Sequence, residues 1–172
     1  MLHLTITKAG LEMDIEILKI LARDARTSPA QIAAMTGKSE EQVADEIRQM
    51  EERGIIRRYK TVIDWEKAGV ESVYAFIDVR VSPSRGVGFD DVARRIYKFP
   101  EVHSVYLVSG DYDLRVVVEG ETMRSVAFFV AERLATLEGV LSTRSSFLLK
   151  KYKDDGDVYE EPEGDERLAV TP

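Results

Sequence analysis

Cysteine is absent from this chain of 172 residues, and histidine is confined to His3 and His103. Without thiols there is no disulfide framework, no thiolate nucleophile and no cysteine-ligated metal. Two isolated histidines offer no basis for a multi-histidine metal site or a histidine relay, so neither metal nor cofactor is expected. No stretch approaches the ~20 apolar residues that a membrane-spanning helix needs. The opening Met1-Leu2-His3-Leu4-Thr5 has no basic n-region, long apolar stretch or small-residue cleavage site, so a cytoplasmic protein is expected. Paired carboxylates, a nucleophile with its base and a phosphate-binding glycine loop are also missing, which argues against an enzyme.

What the chain does carry is charge, unevenly placed. The formal net charge is −7, a value that by itself disfavours a nucleic-acid partner. Residues 13–60, however, hold nine Lys/Arg and nine Asp/Glu, and residues 61–153 hold thirteen of each. The whole excess lies in residues 154–172, where eight acids face Arg167 alone. That segment is poor in apolar groups and rich in Gly, Pro and acid, so it reads as a solvated, disordered tail. Its sharper alternative is an acidic mimic that competes with DNA for basic side chains.

The first third of the chain reads as three short helices. From Asp14 to Ala25, Ile15, Leu18, Ala22 and Ala25 recur at helical spacing, widened by Ile17 and Leu21. Ser28-Pro29 supplies an N-cap and a proline in the first helical position, and Gly37 stops the short helix that follows. Ser39, with Gln42 three residues on, forms a capping-box pattern for a third helix with Val43, Ile47 and Met50 inward. Gly54 ends it, and Ile55-Ile56-Arg57-Arg58-Tyr59-Lys60 reads as a strand with a basic edge. Three helices with a tight turn at Thr36-Gly37-Lys38 spell a winged helix-turn-helix over residues 11–60.

After a linker over residues 61–72 the pattern turns to alternation. Val73, Ala75, Ile77, Val79 and Val81 mark one face of a strand, with Tyr74, Phe76, Asp78 and Arg80 on the other. Ser82 to Gly86 then leads into a helix with Phe89, Val92, Ala93 and Ile96 inward, stopped by Pro100. A strand over residues 102–108 meets Gly110-Asp111, a two-residue hairpin signal of the Gly-first type. Residues 114–118 return antiparallel. A longer helix carrying Met123, Val126, Ala127, Val130, Leu134 and Leu137 follows, and residues 140–149 supply the last strand. Strand-helix-strand occurs twice, with a weak repeat between Phe99–Ser104 and Leu137–Ser142, which predicts a ferredoxin-like βαββαβ sheet over residues 73–153. The fold class is therefore α+β. Two helices cover one side of such a sheet; Tyr74 and Phe76 are among the apolar groups left on the other, so a sheet-to-sheet homodimer is expected.

Together these segments resemble the Lrp/AsnC (leucine-responsive, feast/famine) transcription regulators. The resemblance spans roughly residues 11–152 and is carried by Asp14-Ile15-Glu16-Ile17-Leu18, Ile32-Ala33, Gly37-Lys38-Ser39, Val43, Ile47 and Glu51 to Ile56. Tyr59, Val62-Ile63-Asp64, Val105 and Gly110-Asp111-Tyr112-Asp113-Leu114 continue it. It implies a first domain that binds double-stranded DNA. It implies a second, the RAM domain, that binds small effectors, usually amino acids, and builds dimers that often assemble further, to tetramers or octamers. The chain departs from the family at Glu46, where a basic residue is common, and the third helix also carries Glu40, Glu41, Asp45, Glu51 and Glu52. Carboxylates facing phosphate oppose counterion release, so an effector-sensing module whose helix-turn-helix no longer binds DNA is the alternative.

For DNA, Ser39, Gln42, Asp45, Arg48 and Gln49 are placed to reach base edges, Gln suiting adenine and Arg guanine. Ser28, Lys38, Arg57, Arg58 and Lys60 suit phosphate contacts, although both serines are equally plain helix caps and the arginines equally an ordinary charged strand edge. For the effector, Gly110, Asp111, Tyr112 and Asp113 are the candidates. Gly110 is expected to take a positive φ and admit close backbone approach, while Asp113 accepts from an ammonium group. The same Gly-Asp pair is also a turn signal anywhere, with Asp113 merely fixing the hairpin.

Overall fold

The computed structural model describes residues 14–82 and 88–159. The residues before Asp14, Pro83 to Gly86 of the expected linker, and the expected acidic tail from Glu160 onward lie outside the described residues. The chain divides into two compact units, with the boundary between Ile63 and Asp64.

The first unit holds α1 (Ile15–Arg23), α2 (Pro29–Thr36) and α3 (Glu40–Glu52). Each start is fixed by a side chain that satisfies otherwise unpaired N–H groups. Asp14 accepts from the Glu16 N–H at 2.8 Å. Ser28 with Gln31, and Ser39 with Gln42, form reciprocal capping boxes. α1 stops two residues short of the expected Ala25, because Asp24 accepts from the Arg26 N–H through its side chain and from Thr27 Oγ1 through its carbonyl. Between α2 and α3, Gly37 adopts φ 74° and its N–H closes on the Ala33 carbonyl at 2.9 Å. Ile17, Ile32, Ala33, Val43 and Met50 are buried together, with Leu18, Ile47 and Ile56 packed against them.

The segment expected as a basic strand differs. Ile55 and Ile56 both donate to the Met50 carbonyl, winding the chain off the helix end, and Arg57 to Lys60 form no strand. A strand exists only through a partner, and among the described residues this unit contains no second strand to pair with it.

The second unit is the ferredoxin-like domain, comprising β1 (Val73–Val81), α4 (Phe89–Ile96), β2 (Val102–Leu107), β3 (Leu114–Gly120), α5 (Met123–Phe129) and β4 (Val140–Phe147). A π-helical turn over Val130–Leu134 extends α5. The sheet order is β2-β3-β1-β4, antiparallel at every junction. β1 and β3 are central and carry the inward residues Ala75, Ile77, Val79, Leu114, Val116 and Val118, which pack with Val92 and Ile96 of α4 and Val126, Phe129 and Leu134 of the last helix. The alternation read from β1 holds, with one addition: Asp78, on the opposite face, is also buried.

Three expectations fail in this unit. The β2–β3 connection is not a two-residue hairpin, since Val108 N–H bonds to the Asp113 carbonyl and leaves residues 109–112 as a four-residue loop. Gly110 accordingly needs no positive φ, and is not among the glycines that have one. Asp154, Asp157 and Val158, expected to begin the disordered tail, instead form a small hairpin of β5 (Lys153–Asp154) and β6 (Asp157–Val158) turning through Asp155 and Gly156.

The end of β3 approaches α5 closely. A Cβ at Gly120 would lie 2.8 Å from Val126 Cγ2 and 2.9 Å from Ser125 Oγ. Val126 is fully packed and cannot yield, so Gly120→Ala should destabilise the domain by about 1–3 kcal/mol. Gly110→Ala, where nothing lies within 4 Å of the added carbon, should change stability by less than about 0.5 kcal/mol. Urea unfolding of both variants checks the contrast.

Candidate nucleic-acid interface and effector loop

In the first unit, the charge of α3 is sorted by direction. Lys38, in the turn, reaches Asp14 at 2.8 Å and Glu46 at 2.6 Å. One ammonium therefore ties the start of α1 to the middle of α3. Its proton is held above the usual lysine value, first by Asp14 and then by Glu46. Burial pushes the Asp14 carboxyl up, but Lys38 and the N–H groups of Glu16 and Ile17 outweigh it and hold the group below its ordinary value. Glu46, the family departure, is paired with this lysine and only partly exposed. Glu51 likewise accepts from the Tyr59 hydroxyl at 2.8 Å, and burial together with that carboxylate pushes the phenol up to about 12.

The remaining candidates take different positions. Arg48 and Gln49 are exposed on α3, with Arg48 held to Asp45 at 2.5 Å. Arg57, Arg58 and Lys60 are exposed beyond the helix. Ser28 and Ser39 serve as caps. The Gln42 carbonyl oxygen accepts from the Ser39 N–H at 3.0 Å, so part of the bidentate amide edge that adenine requires is already engaged.

In the second unit, the loop over residues 109–112 is tied to β1 from two directions. Asp113 Oδ2 accepts from the Val81 N–H at 2.8 Å, and the Asp113 N–H donates to the Val79 carbonyl at 3.1 Å. Arg80 Nη2 donates to the Asp111 carbonyl at 2.6 Å. The N–H groups of Gly110, Asp111 and Tyr112 have no acceptor among the described residues. Asp113 is thus half committed to holding the loop, while the loop amides remain available as donors.

Sequence reasoning missed the cluster beside this loop. Asp78, 4% exposed, accepts from Arg115 at 2.8 Å and Arg144 at 3.1 Å. Arg115 chiefly, then Arg144, hold its carboxyl below the ordinary value against the opposing effect of burial. Arg144 and Arg80 both lie over the Tyr112 ring, at 4.9 and 5.5 Å from its centre. Charges at the middle of an otherwise apolar alternating strand were the available signal. The open face therefore has a charged centre beside the exposed Phe76 and Tyr106; Asp78 and Arg80 were read on this face, but not their partners.

A three-helix unit with a helix-turn-helix, followed by a ferredoxin-like domain, is the domain pairing of an HTH-type transcriptional regulator with a ligand-binding domain. Comparison with known proteins agrees. The family model described as Lrp/AsnC ligand binding domain matches residues 74–158, and that described as winged helix-turn-helix DNA-binding matches residues 11–57. The HTH-type transcriptional regulator YugG of Bacillus subtilis, itself uncharacterised, is 49% identical over 162 residues, covering 94% of this chain and 98% of that protein. The crystal structure of the leucine response regulatory protein LrpA of Mycobacterium tuberculosis superposes with a TM-score of 0.72 at 27% identity, covering 86% of this chain and 98% of that one. A transcriptional regulator of Neisseria meningitidis, solved as a complex with L-methionine, gives a TM-score of 0.68 at 26% identity, covering 90% and 97%. The chain belongs to the Lrp/AsnC family of HTH-type transcriptional regulators, which are not enzymes. Among the described residues no helix is long and apolar enough to cross a membrane.

The Lys38 clamp predicts a pH dependence with a definite sign. Asp14 has a lowered pKa, so its stabilisation is complete above the ordinary carboxylate value and lost as pH falls through the lowered one. Lys38 has a raised pKa, so its contribution is complete below the ordinary lysine value and lost only as pH rises through the raised one. Lys38→Gln should therefore cost the first unit about 1–3 kcal/mol at neutral pH, and progressively less in strong acid. Hydrogen exchange of the Ile17 and Val43 amides reads this out.

Proposed function

We propose that the chain binds duplex DNA through α3 and the segment after it, under control of an amino-acid effector held at residues 110–113. Arg48, oriented by Asp45, and Gln49 read base edges in the major groove. Arg57, Arg58 and Lys60 contact phosphates, joined by the Ser28 and Ser39 hydroxyls, and position the head without reading sequence. Lys38 serves the turn in place of the backbone of DNA. The observation that carries this reading is the pairing of Glu46 with Lys38, which removes the carboxylate at the family's usual basic position from the electrostatic objection to DNA.

In the body, the loop N–H groups receive the effector's α-carboxylate, and the Asp111 carboxylate, with Asp113 beside it, receives its ammonium group. Two copies pair through the open sheet face, where Phe76 and Tyr106 are exposed, and so present two recognition helices to half-sites spaced by whole helical turns. The effector acts by binding two arrangements of this assembly with different affinity. Amino-acid complexes of the N. meningitidis regulator, and of a M. tuberculosis feast or famine regulatory protein with L-methionine, support an amino acid as the ligand class.

Footprinting on the intergenic DNA beside the chain's own gene tests the DNA role, with protected half-sites one or more helical turns apart as the expected result. Arg57→Ala with Arg58→Ala should weaken binding to all sequences alike. It should also reduce the slope of log K against log salt by about 0.9 for each phosphate that is no longer neutralised. No protection at low salt would select the alternative of a sensing module without DNA binding. Gly110→Ala should weaken amino-acid binding while leaving the melting temperature unchanged.

A further inference from the structure

The chemistry around the loop also bears on which amino acids it takes, a step that rests on the effector reading above. Arg80, Arg115 and Arg144 share the open sheet face with Asp78, and both oxygens of that carboxylate are occupied by Arg115 and Arg144. Asp113 is occupied in part by the Val81 N–H. Glu119 and Lys151 belong to the opposite end of β1, around Tyr74. The loop end of the face therefore holds three arginines against three carboxylates, and with Asp78 and Asp113 engaged within the chain and Asp111 given to the effector's ammonium group, only the arginines have donors to spare.

Two of those cations are aimed at the loop. Arg80 and Arg144 converge on the Tyr112 ring, which fixes both guanidinium planes near residues 110–113. Each has five N–H donors. Among the described residues Arg80 uses one on the Asp111 carbonyl and Arg144 one on Asp78. Arg144 is 61% exposed along its side chain in the single protomer, so the rest of its donors are left to water, the partner copy or a ligand. An apolar effector side chain laid against these groups would strip their water and return no hydrogen bond, which is costly. A carboxylate accepts from two guanidinium groups with charge assistance and planar fit.

We infer that the effector is an acidic amino acid, its second carboxylate held by Arg80 and Arg144 beside Tyr112 while the loop amides hold the first. Arg80 and Arg144 are then the specificity-determining residues of the site, and Asp78 positions Arg144. The chain would differ in this respect from the neighbours solved with L-methionine.

Isothermal titration calorimetry on the full chain tests this with L-glutamate, L-aspartate, their amides L-glutamine and L-asparagine, and L-methionine. One of the two acids should bind at least about tenfold more tightly than its own amide, the margin a charge-assisted pair supplies. Arg80→Gln, which leaves the Asp78 cluster intact, should bring acid and amide to within about threefold of each other. Arg144→Gln should do the same, with its melting curve showing whether the fold is retained. An amide or methionine binding as tightly as the acids, and losing affinity in Gly110→Ala, would overturn the inference and leave the loop as effector site. No binding of any of the five would overturn both.

Discussion

A four-stranded sheet with helices on one side has its other side to hold by different means, and the centre of that side is here a buried carboxylate. Asp78 sits on the central strand, takes one guanidinium from β3 and one from β4, and so cross-links three of the four strands from the face the helices do not reach. Removing either arginine would leave part of a buried charge unpaired, and such a charge is far more costly alone than paired. The consequence extends to the loop. Arg144 is held against Tyr112 by the same bond that completes Asp78, and Arg80, two residues along β1, anchors the Asp111 carbonyl. The junction of β1, β3 and β4 and the position of the loop are thus tied to neighbouring arginines of one face.

The DNA-binding unit is held in an equivalent way. Lys38 lies in the turn that defines the helix-turn-helix and bridges carboxylates on both α1 and α3. The turn is therefore fixed by a left-handed Gly37 and by an ion-pair clamp, and a small core of five buried side chains suffices to hold the three helices. Arg48 and Gln49 remain on the exposed side of α3.

Much of this was legible in the residues. Ser28-Pro29 and Ser39 with Gln42 announced two helix starts because capping depends on local hydrogen bonds. The alternation of β1 announced its buried face because a strand has period two. What escaped was non-local. Glu46 read as a liability to DNA binding until its partner, eight residues earlier, was seen to face it. Ile55 to Lys60 has strand composition, yet composition cannot provide a neighbour to pair with. Gly110-Asp111 has the right dipeptide for a tight hairpin, but the Val108–Asp113 pairing widened the loop. Asp78, Arg80 and Arg144 were individually ordinary, and their meeting at Tyr112 depends on the strand order β3-β1-β4. The hairpin at Lys153 to Val158 was hidden by the acidic composition it shares with the residues after it.

Coupling between the two units is what the proposed regulation requires. Thermodynamic linkage requires that an effector changing DNA affinity by some factor has its own affinity changed by DNA through the same factor. The most direct test measures both on one operator fragment: DNA affinity with and without saturating amino acid, and amino-acid affinity with and without saturating DNA. The account predicts equal factors of about 5- to 150-fold, the usual range of such coupling. Amino-acid binding that leaves DNA affinity unchanged would contradict it.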